Sequence, residues 1–442
     1  MTPAARLQAA MEIAARIADE SGPADRILRD DLRRRRYAGS ADRRAIVERV
    51  YGVLRRRARL DWWLAPAGAP PVGDTDPSIH RSRIIADLVL TDGLATADVE
   101  ILFAAGGHGP SSLSESERAA AERLEGSRLD DLDMPAWVRD ECPAWLHERL
   151  SGTMGEDTAA ELAVMNHPAP VDLRVNTLKA TPTVAQHRLS VEGIDTEPTP
   201  WSLVGLRLAD GRPRITEMRS YRDGLIEVQD EGAQIVALIT GARPGMTAVD
   251  FCAGAGGKAL ALAAAMEGRG RIVACDVAAG RLARAAPRIR RAGVGIIDLR
   301  NLDSEGAPWV AANAESADRV LLDVPCSGTG AWRREPEARW RLTPESVAEV
   351  TARQRRILAS ACRLVRPGGR LVYATCSVLA EENEEQMDWF LGKHPVFRVI
   401  PAAAAWADAI DRPCPPCDQW LRLSPASTGT DGFFVAVLER YS

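Results

Sequence analysis

The chain has 442 residues, 46% of them hydrophobic and 26% charged, with a net charge of −5. That length suits two or three domains, and the composition is that of globular proteins with a core in each. No apolar run reaches the roughly 18 residues of a membrane span, and "MTPAARLQAAMEIAARIADE" mixes Arg, Asp and Glu where a signal peptide needs an apolar centre, so the expectation is a cytoplasmic protein with no membrane partner.

From residue 4 to about 64 apolar residues recur three and four apart, which predicts helices. Residues 1 to 64 hold 15 Arg against nine Asp or Glu, a local balance of +6 concentrated in "LRRRRY" (Leu32 to Tyr37) and "LRRRARLDWW" (Leu54 to Trp63). A basic end on an acidic body is the footprint of a domain that grips phosphates, although an arginine run is also an ordinary solvated helix face. Gly/Pro/Ser loops are expected at Ala65 to Ser78 and Ala104 to Ser116, and "SRLDDLDMP" (Ser127 to Pro135) reads as a linker. The first domain is therefore placed at 1–125 and a small α+β module at 126–225, containing "VDLRVNTLKA" (Val171 to Ala180).

Beyond residue 225 strands and helices alternate. Apolar strands are expected at Thr247 to Cys252, Arg271 to Asp276, Gly295 to Leu299, Arg319 to Asp323 and Arg370 to Thr375. This pattern predicts an α/β domain at 226–442 with a parallel, doubly wound, Rossmann-like sheet that binds ligands at the carboxyl ends of its strands.

"AVDFCAGAGGKALALAAAM" combines a strand, a glycine-rich turn and a helix, and the turn Cys252, Ala253, Gly254, Ala255, Gly256, Gly257 and Lys258 is the candidate cofactor loop. A Walker loop is excluded, because Cys252 stands where its first glycine belongs and Ala259 where Ser or Thr would hold magnesium. A dinucleotide site stays open, since the glycines fit the loose Rossmann pattern. Asp276, ending the next strand, suits the two hydroxyls of a ribose, and NAD and S-adenosylmethionine both carry one. Lys258 is one of only three lysines, which argues for a specific requirement in the turn, and Asp250 is a candidate for orienting it.

Eight cysteines are scattered at 142, 252, 275, 326, 362, 376, 414 and 417, so no disulfide framework is expected. The "CPPC" pair, Cys414 and Cys417, lacks a second pair or clustered histidines and reads as a proline-rich loop, with no metal expected. Two cysteines stand out at strand exits: Cys326 in "LLDVPCSGTG", close behind Asp323, and Cys376 in "LVYATCSV". Both should face the cofactor crevice.

"CAGAGGK", "LLDVPCSGTG", "ATCSV" followed by "EEN", "VQDEGAQ" and "TDGFFVAVLER" together resemble the RsmB/Sun (Fmu) family of bacterial RNA cytosine-5 methyltransferases. The amino-terminal "ADRRAIVERVYGVLRRRARLDWWL" resembles the NusB-like RNA-binding domain of that subgroup, and the resemblance covers nearly the whole chain. It implies S-adenosylmethionine as cofactor, RNA as partner with 16S ribosomal RNA the expected target, and a monomer. It makes Cys376 the nucleophile, Cys326 the group that assists proton removal and release, and Asp323 the group that binds the ring at nitrogen 3. Pro325 would place its carbonyl near the exocyclic amine. The family's third cofactor carboxylate falls near Asp303 in "LRNLDSEG". Gly254 and Ala255 replace the family's Ala-Pro in the turn, which frees a rigid bend. Arg174 and Asn176, with Arg333 and Arg334 of "WRREPEARW", are candidate RNA contacts.

The chemistry suits these residue types. Carbon 5 of cytosine accepts a methyl group only after a thiolate adds at carbon 6, and a base must then remove the proton on carbon 5. A transfer-RNA target, a non-catalytic ribosome-assembly factor that keeps the fold, and a nicotinamide oxidoreductase are the competing readings.

Overall fold

The computed structural model describes residues 1–20, 22–65, 78–104, 106–211 and 213–441. The loop expected at Ala65 to Ser78 lies outside the described residues apart from its two ends, as does Ala105 of the second loop. The chain forms two compact units: Met1–His167 with Trp332–Arg341, and Pro168–Ala331 with Leu342–Ser442.

Every regular element described in the first unit is helical, beginning with Pro3–Asp19, Ala24–Arg34, Ser40–Arg55, Arg57–Leu64 and Ile79–Leu90. The first starts where Thr2 accepts the Ala5 N–H at 3.2 Å and Pro3 occupies the first turn, where a backbone N–H would find no acceptor within the helix. Its Ala9, Ala10, Ile13 and Ile17 face a core shared with Ile27, Ile46, Val50, Leu60 and Ile84. Several arginines are spent internally: Arg56 meets buried Asp87 at 2.7 Å and Arg59 meets buried Glu141 at 2.8 Å, while Arg83 meets Asp61 at 2.6 Å in a buried pair. Arg33, Arg34, Arg36 and Arg44 remain exposed, beside Tyr37.

Two segments join this unit contrary to expectation. Residues 126–167, assigned from sequence to the α+β module, pack with the helices because Glu141 accepts the Ala58 N–H at 2.7 Å, Met134 and Val138 pack on Ala58, and Asn166 Nδ2 donates to the Arg55 carbonyl at 2.9 Å. Trp332–Arg341 is held here too. Trp332 is fully buried, Glu337 accepts the Ala24 N–H at 2.6 Å, and Arg339 donates to the Glu141 carbonyl at 2.8 Å.

The second unit carries two sheets. A small antiparallel sheet contains β1 (Asp172–Val175), β2 (Thr196–Pro198), β3 (Gly205–Leu208) and β4 (Ile226–Val228) in the order β2, β3, β1, β4. The large sheet contains β5 (Thr247–Asp250), β6 (Arg271–Asp276), β7 (Ile297–Asn301), β8 (Ala317–Asp323), β9 (Val365–Thr375), β10 (Phe397–Ile400), β11 (Leu421–Leu423) and β12 (Phe433–Arg440). Its order is β10, β12, β9, β8, β5, β6, β7, with β11 on β12. Alternate residues of β8 enter different apolar layers, Val320 and Leu322 on one face and Leu321 on the other, so the sheet is covered on both sides.

The five expected strands are the parallel half, β5 to β9. The expectation of a wholly parallel sheet needs correction: β10 and β11 pair antiparallel with β12, and β12 antiparallel with β9. β12 runs opposite to its neighbours as an antiparallel addition to a parallel sheet, a common device in doubly wound folds. β5 lies between β6 and β8, so the chain winds one way through β6 and β7 and the other through β8 and β9. This leaves a crevice at the carboxyl ends of β5 and β8.

Candidate active site

The crevice holds a cavity of about 350 Å³ lined by the glycine turn from Cys252 to Ala255, by Asp276 and Arg281 beyond β6, by Asp323 to Cys326 beyond β8, and by Cys376 beyond β9. Each strand ends in a residue that bears chemistry, because a buried apolar run can present a polar group only where it leaves the sheet.

Gly254 and Gly256 adopt φ of 54° and 77°, a left-handed bend that side-chain-bearing residues resist. A Cβ on Gly254 would meet no other atom within 4 Å, so the bend opens a cradle on the cavity side. The Gly254 N–H donates to Asp276 at 2.9 Å and the Ala278 N–H does so at 2.7 Å, with Arg281 at 3.3 Å. The turn is thus tied to the carboxylate that ends the next strand. Gly257 begins the Gly257–Ala265 helix, and its carbonyl accepts from Arg174 at 2.7 Å.

Lys258 Nζ lies 2.6 Å from Asp323 Oδ2. Burial alone would lower the ammonium pKa, but the Asp323 charge and hydrogen bond outweigh it and leave it raised. Asp250 is fully buried, as expected, and although neither of its oxygens makes a hydrogen bond of normal geometry, the backbone N–H of Ala259, in the helix that follows the turn, acts to hold its pKa down. Burial, then the charge of Asp323, push its carboxyl up to about 7. Burial also raises the Cys252 thiol well above its usual range, with Asp250 and Asp323 adding to the effect.

Cys326 Sγ and Cys376 Sγ are 3.3 Å apart. The contact with Cys376, then burial, raise the Cys326 thiol well above its usual range. The Gly330 N–H donates to the Cys376 carbonyl at 2.9 Å, and the Pro325 carbonyl accepts from Gln354 at 2.9 Å, which takes up one of its lone pairs.

Several candidates lie elsewhere. Asp303 is exposed and outside the cavity lining, where Leu302 and Glu305 stand in its stretch. Arg174 and Asn176 are buried and brace the fold, Asn176 by donating to the Gly224 and Ala292 carbonyls at 3.0 Å. Arg333 is buried in the first unit, its carbonyl accepting from Arg55 at 3.0 Å. Cys414 and Cys417 sit in a loop with sulfurs 3.5 Å apart, half-buried against the core. Sequence reasoning missed Arg281, Arg353 and Ile357 in the lining, and buried Glu382, whose only signal was the "EEN" after Cys376.

A mixed sheet in this order, with a glycine turn and a strand-end carboxylate around one cavity, is that of a Rossmann-like methyltransferase. Residues 237–439 match the family described as 16S rRNA methyltransferase RsmB/F, and residues 142–214 match the ferredoxin-like domain of RsmF/B-like methyltransferases. A probable ribosomal RNA small subunit methyltransferase B from Synechocystis sp. is 32% identical over 438 residues, covering 94% of this chain and 98% of its own. The crystal structure of PH0851 is 27% identical with a TM-score of 0.78 and covers 99% of both chains; that of a methyltransferase homolog from Pyrococcus horikoshii is 27% identical with a TM-score of 0.60, covering 69% of this chain and 97% of its own. The chain belongs to the RsmB/F family of rRNA methyltransferases.

Proposed function

We propose that the protein methylates carbon 5 of a cytosine in small-subunit ribosomal RNA, with S-adenosylmethionine as methyl donor and a cysteine adduct at carbon 6. The observation that carries this reading is the pair of sulfurs 3.3 Å apart on the wall of the cavity that also holds the glycine turn and Asp276. One sulfur adds to the ring; the other is close enough to serve the same ring after transfer.

S-adenosylmethionine supplies an electrophilic methyl group on a sulfonium cation. Asp276, with capacity left beyond its three donors, suits the ribose hydroxyls, and Gly254 and Ala255 suit the close approach of the nucleoside. The engagement of the turn favours this donor over a dinucleotide. Asp276, Glu305 and Asp323 line the cavity against Arg281 and Arg353, and the Gly254 N–H is already engaged by Asp276 rather than free for a pyrophosphate. Asp323 and Glu305 are paired with Lys258 and Arg353, so it is the occupied Gly254 N–H, which leaves a pyrophosphate without that donor, that favours the sulfonium nucleoside.

In this reading the Cys376 thiolate attacks carbon 6 while nitrogen 3 takes a proton through Asp323 from the Lys258 ammonium beside it, so that electrons move towards that edge, and the proton returns by the same route after transfer. Carbon 5 becomes the nucleophile and takes the methyl group. Cys326 takes the carbon 5 proton as its thiolate, having released its own proton to solvent, and the electrons of that C–H bond re-form the carbon 5–carbon 6 double bond as the bond from carbon 6 to Cys376 breaks and leaves Cys376 as thiolate. The target base must leave its stack to reach the crevice. The helices of residues 1–125, read as NusB-like, hold the surrounding RNA through their exposed arginines. Bisulfite sequencing of ribosomal RNA from a strain lacking the gene tests the reading: one cytosine of the small-subunit RNA should lose its protection, and an unchanged pattern would overturn it.

A further inference from the structure

We propose that Glu382 is a positioning residue that fixes the spacing of the two cysteine-bearing loops, an inference that rests on the two-cysteine reading above. Glu382 lies six residues after Cys376, in the Ala380–Glu382 turn, and is fully buried. Its carboxylate collects four donors. Oε2 accepts the Ser327 N–H and Gln354 Nε2, each at 2.9 Å, and Oε1 accepts the hydroxyls of Ser377, at 2.5 Å, and Ser327. Ser327 directly follows Cys326 and Ser377 directly follows Cys376, and the two hydroxyls are 3.1 Å apart.

One side chain therefore pins the residue next to each sulfur, on two loops that leave different strands. All four partners are neutral donors. A carboxylate buried without a cation is a costly way to join two loops, since matched neutral groups would do so with less desolvation. What the carboxylate provides is four acceptor sites converging from one rigid fork, enough to satisfy both loops at once. Cross-strand packing sets the strands, but it leaves the exits of β8 and β9 free to splay. The Glu382 fork removes that freedom and holds the sulfurs at 3.3 Å.

The sulfur pair is its own ruler. Diamide takes two hydrogens from neighbouring thiols, joining them as a disulfide while it is reduced to a hydrazine, and the rate depends on how often the thiols meet. Glu382→Gln keeps the volume but turns an amide group towards donors. Cross-linking of Cys326 to Cys376, read by mass spectrometry, should slow at least tenfold in this variant. Methyl transfer should lose about 100-fold or more in kcat, with KM for S-adenosylmethionine unchanged, because a misplacement of about 1 Å has that effect. Tyr373→Phe is the comparison: it removes a hydrogen bond of 2.6 Å to the Glu382 backbone carbonyl, so it loosens the turn without touching the fork. It should lower Tm while cross-linking at the rate of the unaltered protein.

Equal slowing in Tyr373→Phe and Glu382→Gln would reduce Glu382 to a structural contact and overturn the proposal. So would a Glu382→Gln protein that cross-links at the normal rate. If Glu382→Gln does not fold, Ser327→Ala and Ser377→Ala each remove one donor and carry the same test, with normal cross-linking in both counting against it. Failure of the unaltered protein to methylate any cytosine would instead remove the reading of the reaction, and the cross-linking rates would still decide the role of Glu382.

Discussion

Cys326 Sγ lies 3.3 Å from Cys376 Sγ although 50 positions separate them in the chain. Under the proposed reaction one of the two adds to the ring and the other serves the later proton transfer. Cys376→Ala should abolish both methyl transfer and the covalent protein–RNA adduct. Cys326→Ala should leave attack intact and accumulate an adduct that survives denaturing electrophoresis. The opposite pattern would exchange the two roles.

Stability should carry the mark of Asp250. Its folded pKa of about 7 stands above the ordinary value near 4, so between roughly pH 4 and pH 7 the native state binds a proton that the unfolded chain has released. The stabilisation is complete below that window, falls as pH rises through it, and is gone above about 7, a span on the order of 4 kcal/mol. Asp250→Asn should therefore gain stability relative to the unaltered protein at pH 8 and little at pH 4. Urea unfolding of both proteins at the two pH values checks this, and parallel curves would refute it.

Gly256 turns the chain into the Gly257–Ala265 helix at φ 77°, and a Cβ there would come within 2.9 Å of the Ala285 Cβ. Gly256→Ala should strain the bend by about 1–2 kcal/mol. Calorimetric titration should show S-adenosylmethionine binding weakened by about tenfold, a difference of about 1.4 kcal/mol.

Arg34, Arg36 and Arg44 are exposed on the helical unit, while many of their neighbours are paired internally. Replacing all three with Ala should weaken RNA binding and flatten its dependence on salt by roughly one unit of slope for each phosphate no longer neutralised. Binding isotherms at several salt concentrations measure that slope. A weaker affinity with an unchanged slope would place the RNA elsewhere.

Strand exits were legible because a buried parallel strand is a short apolar run, and the residue that ends it is the first able to carry a charge. Asp276, Asp323, Cys326 and Cys376 were found this way, and all line one cavity. The direction of β12 was not legible: "FFVAVLER" is apolar in the same manner whether it runs with β9 or against it. Arg174 looked like a ligand for RNA, yet its burial depends on the Gly257 carbonyl, 83 positions away. Glu382 was hidden for the same reason, since an acidic "EEN" resembles the start of any helix until Ser327 is placed against it. Asp303 stands exposed and outside the cavity lining, in the stretch after β7 where the sequence offers no periodicity to fix register.

Trp332–Arg341 belongs to the helical unit although it follows Asp323 and Cys326 in the chain, so neither unit is a continuous stretch of polypeptide. During synthesis the amino-terminal helices stay incomplete until residue 341 has left the ribosome, for only then can Glu337 receive the Ala24 N–H and Arg339 reach the Glu141 carbonyl. No single cut separates the two units. A fragment of 1–167 would lack Trp332 and the partners that Glu337 and Arg339 supply, so the helical unit is completed only by a segment that the chain delivers from between β8 and β9.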